Sequence, residues 1–333
     1  MRSYHVDSGA GLSGLTLREE PEPTPGPGQV VVAVRAVSLS YRELLILRGA
    51  YVLPVKPDVI PVSDGAGEVV AIGEGVERVR PGDRVTSTLF PRWHDGPYRR
   101  EVAAQIGGSL DGMLTELAVV EEDALVAMPE HLSFAEAATL PCAALTAWNA
   151  LAEAARVKAG DTVLLLGTGG VSIFGLQFAK LMGARPIIIS SSDAKLDRAK
   201  ALGAAHTINY RTTPEWDRAV LDLTNGVGVD ATVEVGGAGT LPKSINATRI
   251  AGTISLIGVL AGGQIDPAQF MRKSIKMQGI YVGSRRMFRD MNRAIAFAGL
   301  KPVIDQTFTF EKAKDAYHTM QAAGHFGKIV IRV

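Results

Sequence analysis

The run 165-LLGTGGVSIFGLQFAKLMGA-184 stops an apolar strand on three glycines, Gly167, Gly169 and Gly170, and then resumes at helical spacing. Glycine loses more backbone freedom on ordering than any other residue. Three of them between a buried strand and a packed helix imply that something must approach the backbone there. The strand 162-TVLLL-166 stands before the turn, and Gly170 and Val171 open a helix after it. A second apolar strand ends roughly twenty residues on, as in a dinucleotide-binding βαβ unit. In such a unit the glycines make a tight turn and bring the helix N-terminus up to a pyrophosphate. Ser172 stands where a third glycine is usual, which widens the helix–strand approach without blocking a phosphate.

The rhythm around this turn is that of an α/β chain. Apolar strands 162–166, 186–190, 229–235 and 253–259 alternate with helical patterns over 170–183, 193–203 and 238–252. A short strand at 206–210, a helix near 214–225 and a closing strand over 276–283 complete the series. That alternation predicts a doubly wound parallel sheet with both faces covered. The first third is different. The Val-rich 29-QVVVAVRAVSLS-40 follows the breakers 21-PEPTPGPG-28, and 67–85 gives short Val/Ile strands cut by glycine and Pro-Gly-Asp turns, the pattern of a small barrel-like β unit. The C-terminus reads as helix (310–323) and strand (328–333), and the strand is assigned back to the β-rich part. The domains are therefore drawn as 1–132 with 284–333, around a dinucleotide-binding domain at 133–283.

Composition narrows the classes. At 333 residues two domains are the default. With 35 basic and 34 acidic side chains interspersed, nucleic acid and anionic membranes are poor partners. No apolar run approaches a membrane span, and 1-MRSYHVDSGAG-11 lacks the core of a secretory signal. The single cysteine, Cys142, rules out an intrachain disulfide and any multi-cysteine metal cluster. A cytoplasmic protein is expected.

The end of the second strand bears on which dinucleotide is taken. An acid there would accept from the adenine ribose hydroxyls and repel a 2′-phosphate. Here 190-SSSDAK-195 supplies Ser190, Ser191, Ser192 and Lys195. Small donors plus a cation suit a phosphate, which favours NADP(H) over NAD(H). The serines equally suit a helix cap, at Ser192 or Asp193, and Asp193 is itself able to approach a ribose.

These residues and their order resemble the medium-chain dehydrogenase/reductase superfamily, in which a GroES-like catalytic domain, split in sequence, surrounds a Rossmann domain. The likeness covers essentially the whole chain. It is carried by 64-DGAGEVVAIGEGV-76, 81-PGDRV-85, 139-TLPCAALTAWNAL-151, the glycine turn and 324-GHFGKIVI-331. The resemblance implies further cofactor contacts. Tyr210 would lie near the 2′-phosphate, Thr146 at the nicotinamide and Lys328 at the pyrophosphate. Gly236, Gly258 and Val282 would fall at strand ends beside the nicotinamide half. It also implies a homodimer paired through 276–283.

The departures from the family matter as much. Its zinc enzymes bind metal through a cysteine, a histidine, a nearby glutamate and a second cysteine. The matching positions are Ser40, Ser63, Asp64 and Cys142. Two hydroxyls do not replace a thiolate and an imidazole, and three strong ligands are the minimum for a catalytic zinc. The structural-zinc lobe is replaced by 90-FPRWHDGPYRREVAAQIGGSLDG-112. No zinc is expected, and Cys142 reads as a packed thiol.

Hydride addition to a conjugated acceptor then needs side-chain donors where charge develops. The stretch 40-SYRELLILRG-49 resembles the Asn-Tyr-Arg-Asp-Leu of the zinc-free quinone and enone reductases. Tyr41 is the candidate proton donor, or else only packs over the nicotinamide. His94, with Trp93 and Tyr98, belongs to an insert that either lines a substrate cleft between the domains or forms a solvent-facing turn. The loops at 41–53, 90–105 and 260–272 would shape the pocket. The leading expectation is a zinc-free, NADPH-dependent reductase of quinones, enals or enones. An alcohol dehydrogenase acting on small alcohols is the second. A nucleotide-sensing or nucleic-acid-binding member without turnover is a third.

Overall fold

Breaker residues delimit the first strands. β1 (Arg2–Val6) and β2 (Leu15–Glu19) pair antiparallel, and the run 21–28 ends on Gly28 at φ 71 before releasing β3 (Gln29–Leu39). β3 is the spine of the front part. It pairs antiparallel with β4 (Asp64–Ile72), in register from Val30↔Ile72 to Ser38↔Asp64, and with β6 (Leu117–Glu121). β5 (Arg84–Ser87) joins β4, and β7 (Leu125–Ala127) joins β5. The alternate valines Val30, Val32 and Val34 are buried with Val69, Val85 and Ile106 in one apolar core, as a β-rich unit requires.

The middle of the chain builds β8 (Thr162–Leu166), β9 (Arg185–Ser190), β10 (His206–Asn209), β11 (Val229–Glu234), β12 (Thr248–Leu256) and β13 (Lys276–Gly279). All pair in parallel, in the order β10-β9-β8-β11-β12-β13. Every residue of β8 is buried, which is why it reads as a continuous apolar run and not as an alternation. Leu164, Leu166, Ile187 and Ile189 pack with Trp216 and Val220 of the helix Trp216–Leu223. The direction of winding reverses between β8 and β11, so the sheet has a switch point there.

Three elements differ from expectation. The helix read over 238–252 is only Leu241–Ala247, because Thr248 already pairs with Val229. Ala251 at φ 56 then forms the irregularity before Thr253 pairs with Ala231. The closing strand ends at Gly279, short of 283. β12 stops at Leu256, and Val259, the last residue of the expected strand, lies outside the described residues, as do residues 260 and 261 of the 260–272 loop.

The C-terminal stretch adds β14 (Ile304–Thr309) and β15 (Lys328–Arg332). β15 runs antiparallel to β3, with Ile331 opposite Val37, and parallel to β14. This extends the front sheet to seven strands, β14-β15-β3-β4-β5-β7 with β6 on β3. The helix Arg285–Ala298 lies outside the expected elements. Ser284 caps it by accepting from Met287 N, Gly299 ends it at φ 59, and Phe288, Met291 and Ile295 form its buried face. These are ordinary start, stop and spacing signals.

The computed structural model describes residues 1–258 and 262–333. They divide into Met1–Leu145 with Gly283–Val333, and Thr146–Val282. The first boundary falls later than 132 because the short helix Phe134–Ala137 packs on β3, β4 and β15. The mixed β sheet and the parallel Rossmann sheet are the two halves of the expected fold class.

Candidate active site

In the Rossmann unit the C-terminal strand ends gather most of the candidate cofactor residues. After β8, Gly167 turns at φ 73 and donates its N–H to Ile189 O at 2.8 Å. Gly169 caps the helix Gly170–Leu181 without any side-chain cap bond, and Gly170 and Val171 form its half-buried first turn. A Cβ on Gly167 or Gly169 would meet no atom within 4 Å. The open space over the turn and the uncapped N–H groups fit a diphosphate. Ser172, in the place of a third glycine, is buried and donates to Leu166 O at 2.6 Å. Its hydroxyl is thereby satisfied within the strand–helix junction.

The end of β9 brings together the proposed 2′-phosphate residues. Ser190 is buried, Ser191, Ser192 and Lys195 are half-buried, and Tyr210 donates its N–H to Ser190 O at 3.0 Å. Ser192, not Asp193, caps the helix Asp193–Ala201, accepting from Lys195 N. Asp193 Oδ1 accepts from Asn209 Nδ2 at 2.7 Å, which ties that carboxylate to β10. Gly236 and Gly258 follow β11 and β12. Val282, at φ 50, follows β13 and presents its carbonyl to Asn149 Nδ2 at 2.9 Å. Thr146 is buried in the helical segment 145–148.

The β-rich unit holds a largely buried polar cluster at the four positions matched to the family's zinc ligands, Ser40, Ser63, Asp64 and Cys142, joined by Lys328. Ser63 Oγ donates to Asp64 Oδ1 at 2.6 Å, and Ser40 Oγ and Cys142 N lie 3.4 and 3.3 Å from Asp64 Oδ2. Lys328 Nζ donates to Leu39 O at 2.6 Å and to Ser40 Oγ at 2.9 Å, and stands 3.7 Å from Asp64 Oδ2. β15 delivers that ammonium because its register on β3 sets Ile329 opposite Leu39. Burial raises the Asp64 carboxyl, against the pull of Lys328 and Ser63. Burial and Asp64 together push the Cys142 thiol up to about 12, so it is a neutral thiol at ordinary pH.

Beside this cluster Arg42 pairs with Glu43 at 2.8 Å, donates to Gly107 O and lies over the Tyr51 ring. Burial opposes the Arg42 charge, but Glu43 and Tyr51 hold it above its ordinary value. Tyr41 opens the helix Tyr41–Leu47 and is 42% exposed, so its phenol is accessible.

His94 belongs to a different constellation of the same unit. Its Nε2 lies 3.0 Å from Asp123 Oδ2, and Asp123 is also held by Arg78 at 2.7 Å and by Arg285. The backbone of the insert is pinned as well, since Arg285 N donates to Trp93 O and Arg286 N to His94 O. Trp93 is buried against Phe90 and Tyr98, with ring centroids 6.2 and 5.2 Å away. The insert is therefore an anchored aromatic turn that exposes about half of His94. The acid under the histidine lies far off in sequence, which is why it was missed.

A Rossmann sheet with an open glycine turn, joined in one chain to a β-rich unit with a buried polar cluster, defines a pyridine-nucleotide dehydrogenase fold. Comparison with known proteins makes the assignment specific. Residues 26–130 match the alcohol dehydrogenase GroES-like domain, and residues 170–297 match the zinc-binding dehydrogenase family. A zinc-type alcohol dehydrogenase-like protein of Schizosaccharomyces pombe is 45% identical over 92% of this chain and 91% of its own length. A 2-methylene-furan-3-one reductase of Solanum lycopersicum is 30% identical over 91% of this chain and 71% of its own. A solved NAD-dependent alcohol dehydrogenase superposes with a TM-score of 0.90, at 33% identity and full coverage of both chains. The chain belongs to the zinc-type alcohol dehydrogenase-like group of the medium-chain dehydrogenase/reductase superfamily.

The metal in that family name does not fit the residues present. Both hydroxyls lie within 3.4 Å of the Asp64 carboxylate, the thiol is neutral, and an ammonium stands among the would-be donors. Among the described residues no group of three or more His, Cys, Asp or Glu side chains is placed to hold a metal ion. Among the described residues, too, no helix is long and apolar enough to cross a membrane.

Proposed function

We propose that this protein is an NAD(P)H-dependent oxidoreductase that reduces a quinone or an α,β-unsaturated carbonyl without a metal. The observation that carries the reading is the Ser40–Ser63–Asp64–Cys142–Lys328 cluster, whose donor chemistry is wrong for a catalytic zinc. A dehydrogenase fold without that electrophile suits acceptors whose conjugation spreads the incoming charge to a distant oxygen. The enone reductase among the relatives supports the same class.

A reduced pyridine nucleotide supplies the hydride when bound. Gly167, Gly169, Gly170 and Val171 hold its diphosphate. Ser190, Ser191, Ser192, Lys195 and Tyr210 form the adenosine end and favour the 2′-phosphate of NADP(H). Thr146, Gly236, Gly258 and Val282 serve the nicotinamide half, and Lys328 serves charge balance near the pyrophosphate. Tyr41 protonates or hydrogen-bonds the acceptor, and His94, oriented by Asp123, is the second proton-handling candidate. The alternative, an NAD(P)-dependent alcohol dehydrogenase acting on a small alcohol or aldehyde, is supported by the likeness to the solved NAD-dependent alcohol dehydrogenase.

One experiment separates the two readings. Purified protein is given NADPH or NADH with a panel of quinones, enones and enals, and NADP or NAD with small alcohols, each with and without a chelator. Chelator-insensitive NADPH oxidation by a conjugated acceptor supports the proposal, and chelator-sensitive alcohol oxidation rejects it. We also propose a homodimer. Among the described residues β13 pairs with β12 alone at the sheet edge and is exposed at all four residues, which suits strand pairing with a second copy. Light scattering tests this.

A further inference from the structure

Glu234 ends β11, at the switch point of the Rossmann sheet, and its side chain is fully buried. Its Oε1 accepts from Gly236 N at 2.7 Å, from Gly237 N at 3.1 Å and from Thr240 Oγ1 at 2.6 Å, and its Oε2 accepts from Ser244 Oγ. Its backbone carbonyl accepts from Ile257 N at 2.8 Å and from Gly258 N at 3.0 Å. One residue thus ties the turn after β11 to the turn after β12. Both glycines are required by this packing. A Cβ on Gly258 would collide with the backbone of Val235, and one on Gly236 would collide with the Thr240 hydroxyl.

A buried carboxylate is costly unless its acceptor sites are filled. Here they are filled by the turn itself and by the helix Leu241–Ala247 behind it, with no ion pair among the described residues. That arrangement holds two backbone segments in one geometry at the strand ends, where open α/β sheets take their ligands. We propose that Glu234 is the positioning residue for the nicotinamide half of the dinucleotide. It acts through the backbone of residues 235–237 and 257–258 and does not touch the ligand. This rests on the dinucleotide reading of the same unit.

The test compares a whole nucleotide with its adenosine fragment. NADPH and 2′,5′-ADP are titrated into the full-length wild type and into Glu234→Gln, which keeps the shape but offers an amide to donors. The dissociation constant for NADPH is expected to rise about tenfold or more, with 2′,5′-ADP unchanged within about twofold. Equal losses for both ligands, or no loss for NADPH, overturn the positioning role. If Glu234→Gln does not fold, Thr240→Val with Ser244→Ala removes the two side-chain donors and is held to the same two outcomes. A wild type that binds neither NADPH nor NADH removes the dinucleotide reading, and the proposal with it. A wild type that binds normally beside an indifferent variant removes the Glu234 role alone.

Discussion

Lys328 Nζ lies 2.9 Å from Ser40 Oγ and 3.7 Å from Asp64 Oδ2, with both charged side chains almost wholly out of solvent. The pair forms because β3 lies between β15, which carries Lys328, and β4, which starts at Asp64. Removing one member of a buried ion pair strands the other, which costs about 3–5 kcal/mol. Lys328→Met is therefore expected to lose about that much in urea unfolding. Adding Asp64→Asn should return most of it, because the stranded charge is then gone. A single variant within about 1 kcal/mol of wild type would reject the pair as a stabilising unit. Nucleotide titration of the double variant isolates the pyrophosphate role. Weakened binding supports it, and unchanged binding confines Lys328 to the cluster.

Tyr41 is 42% exposed beside that cluster, on the first turn of its helix. If it protonates the acceptor, Tyr41→Phe lowers kcat by about 100-fold or more. The dissociation constant for the nucleotide should stay within about twofold, and the thermal midpoint should move little because the ring is retained. An unchanged kcat on every accepted substrate reduces Tyr41 to packing.

Lys195 follows the serines that end β9. Lys195→Ala should weaken NADPH by about tenfold, the loss of one charge-assisted bond. NADH should be affected no more than about twofold. Equal effects on both nucleotides would remove the 2′-phosphate assignment.

Asp123 sits under His94, Arg78 and Arg285. Burial acts to raise its carboxyl, but Arg285 and then Arg78 and His94 hold it below the ordinary value of 3.8. An acid lowered in the folded state binds fewer protons there than in the unfolded chain. Its contribution is complete above the unfolded value and fades as pH falls through the folded one. Urea midpoints taken from about pH 6 to about pH 3 should therefore fall less steeply in Asp123→Asn than in wild type. Identical slopes would show that the pairing is spent in solvent.

How much of this was legible in the sequence follows the range of the forces involved. The glycine turn, the buried run of β8, a cap at Ser192 or Asp193 and the seat of β15 in the front unit all follow from local spacing, composition and family pattern, and the fold selects Ser192. The helix Arg285–Ala298 is not among the expected elements, although Ser284, Gly299 and the spacing of Phe288, Met291 and Ile295 carry its signal. The early end of the helix at Ala247 was not legible. Only the pairing of Thr248 with Val229 overrides the helical pattern there.

The partners of the charged groups belonged to the fold alone. From sequence, Ser40, Ser63, Asp64 and Cys142 were a list of missing ligands, and Lys328 a cation for phosphate. In the folded chain they share one pocket of hydrogen bonds. Glu234 carried no sequence signal beyond ending an apolar strand, and Asp123 none beyond being acidic. Local pattern sets which backbone each residue adopts, since strands and helices are governed by neighbours a few positions away. Which carboxylate meets which donor depends on tertiary geometry, across more than 250 positions for Lys328 and Asp64 and within ten for Glu234, and on burial that makes an unpaired charge too costly to keep.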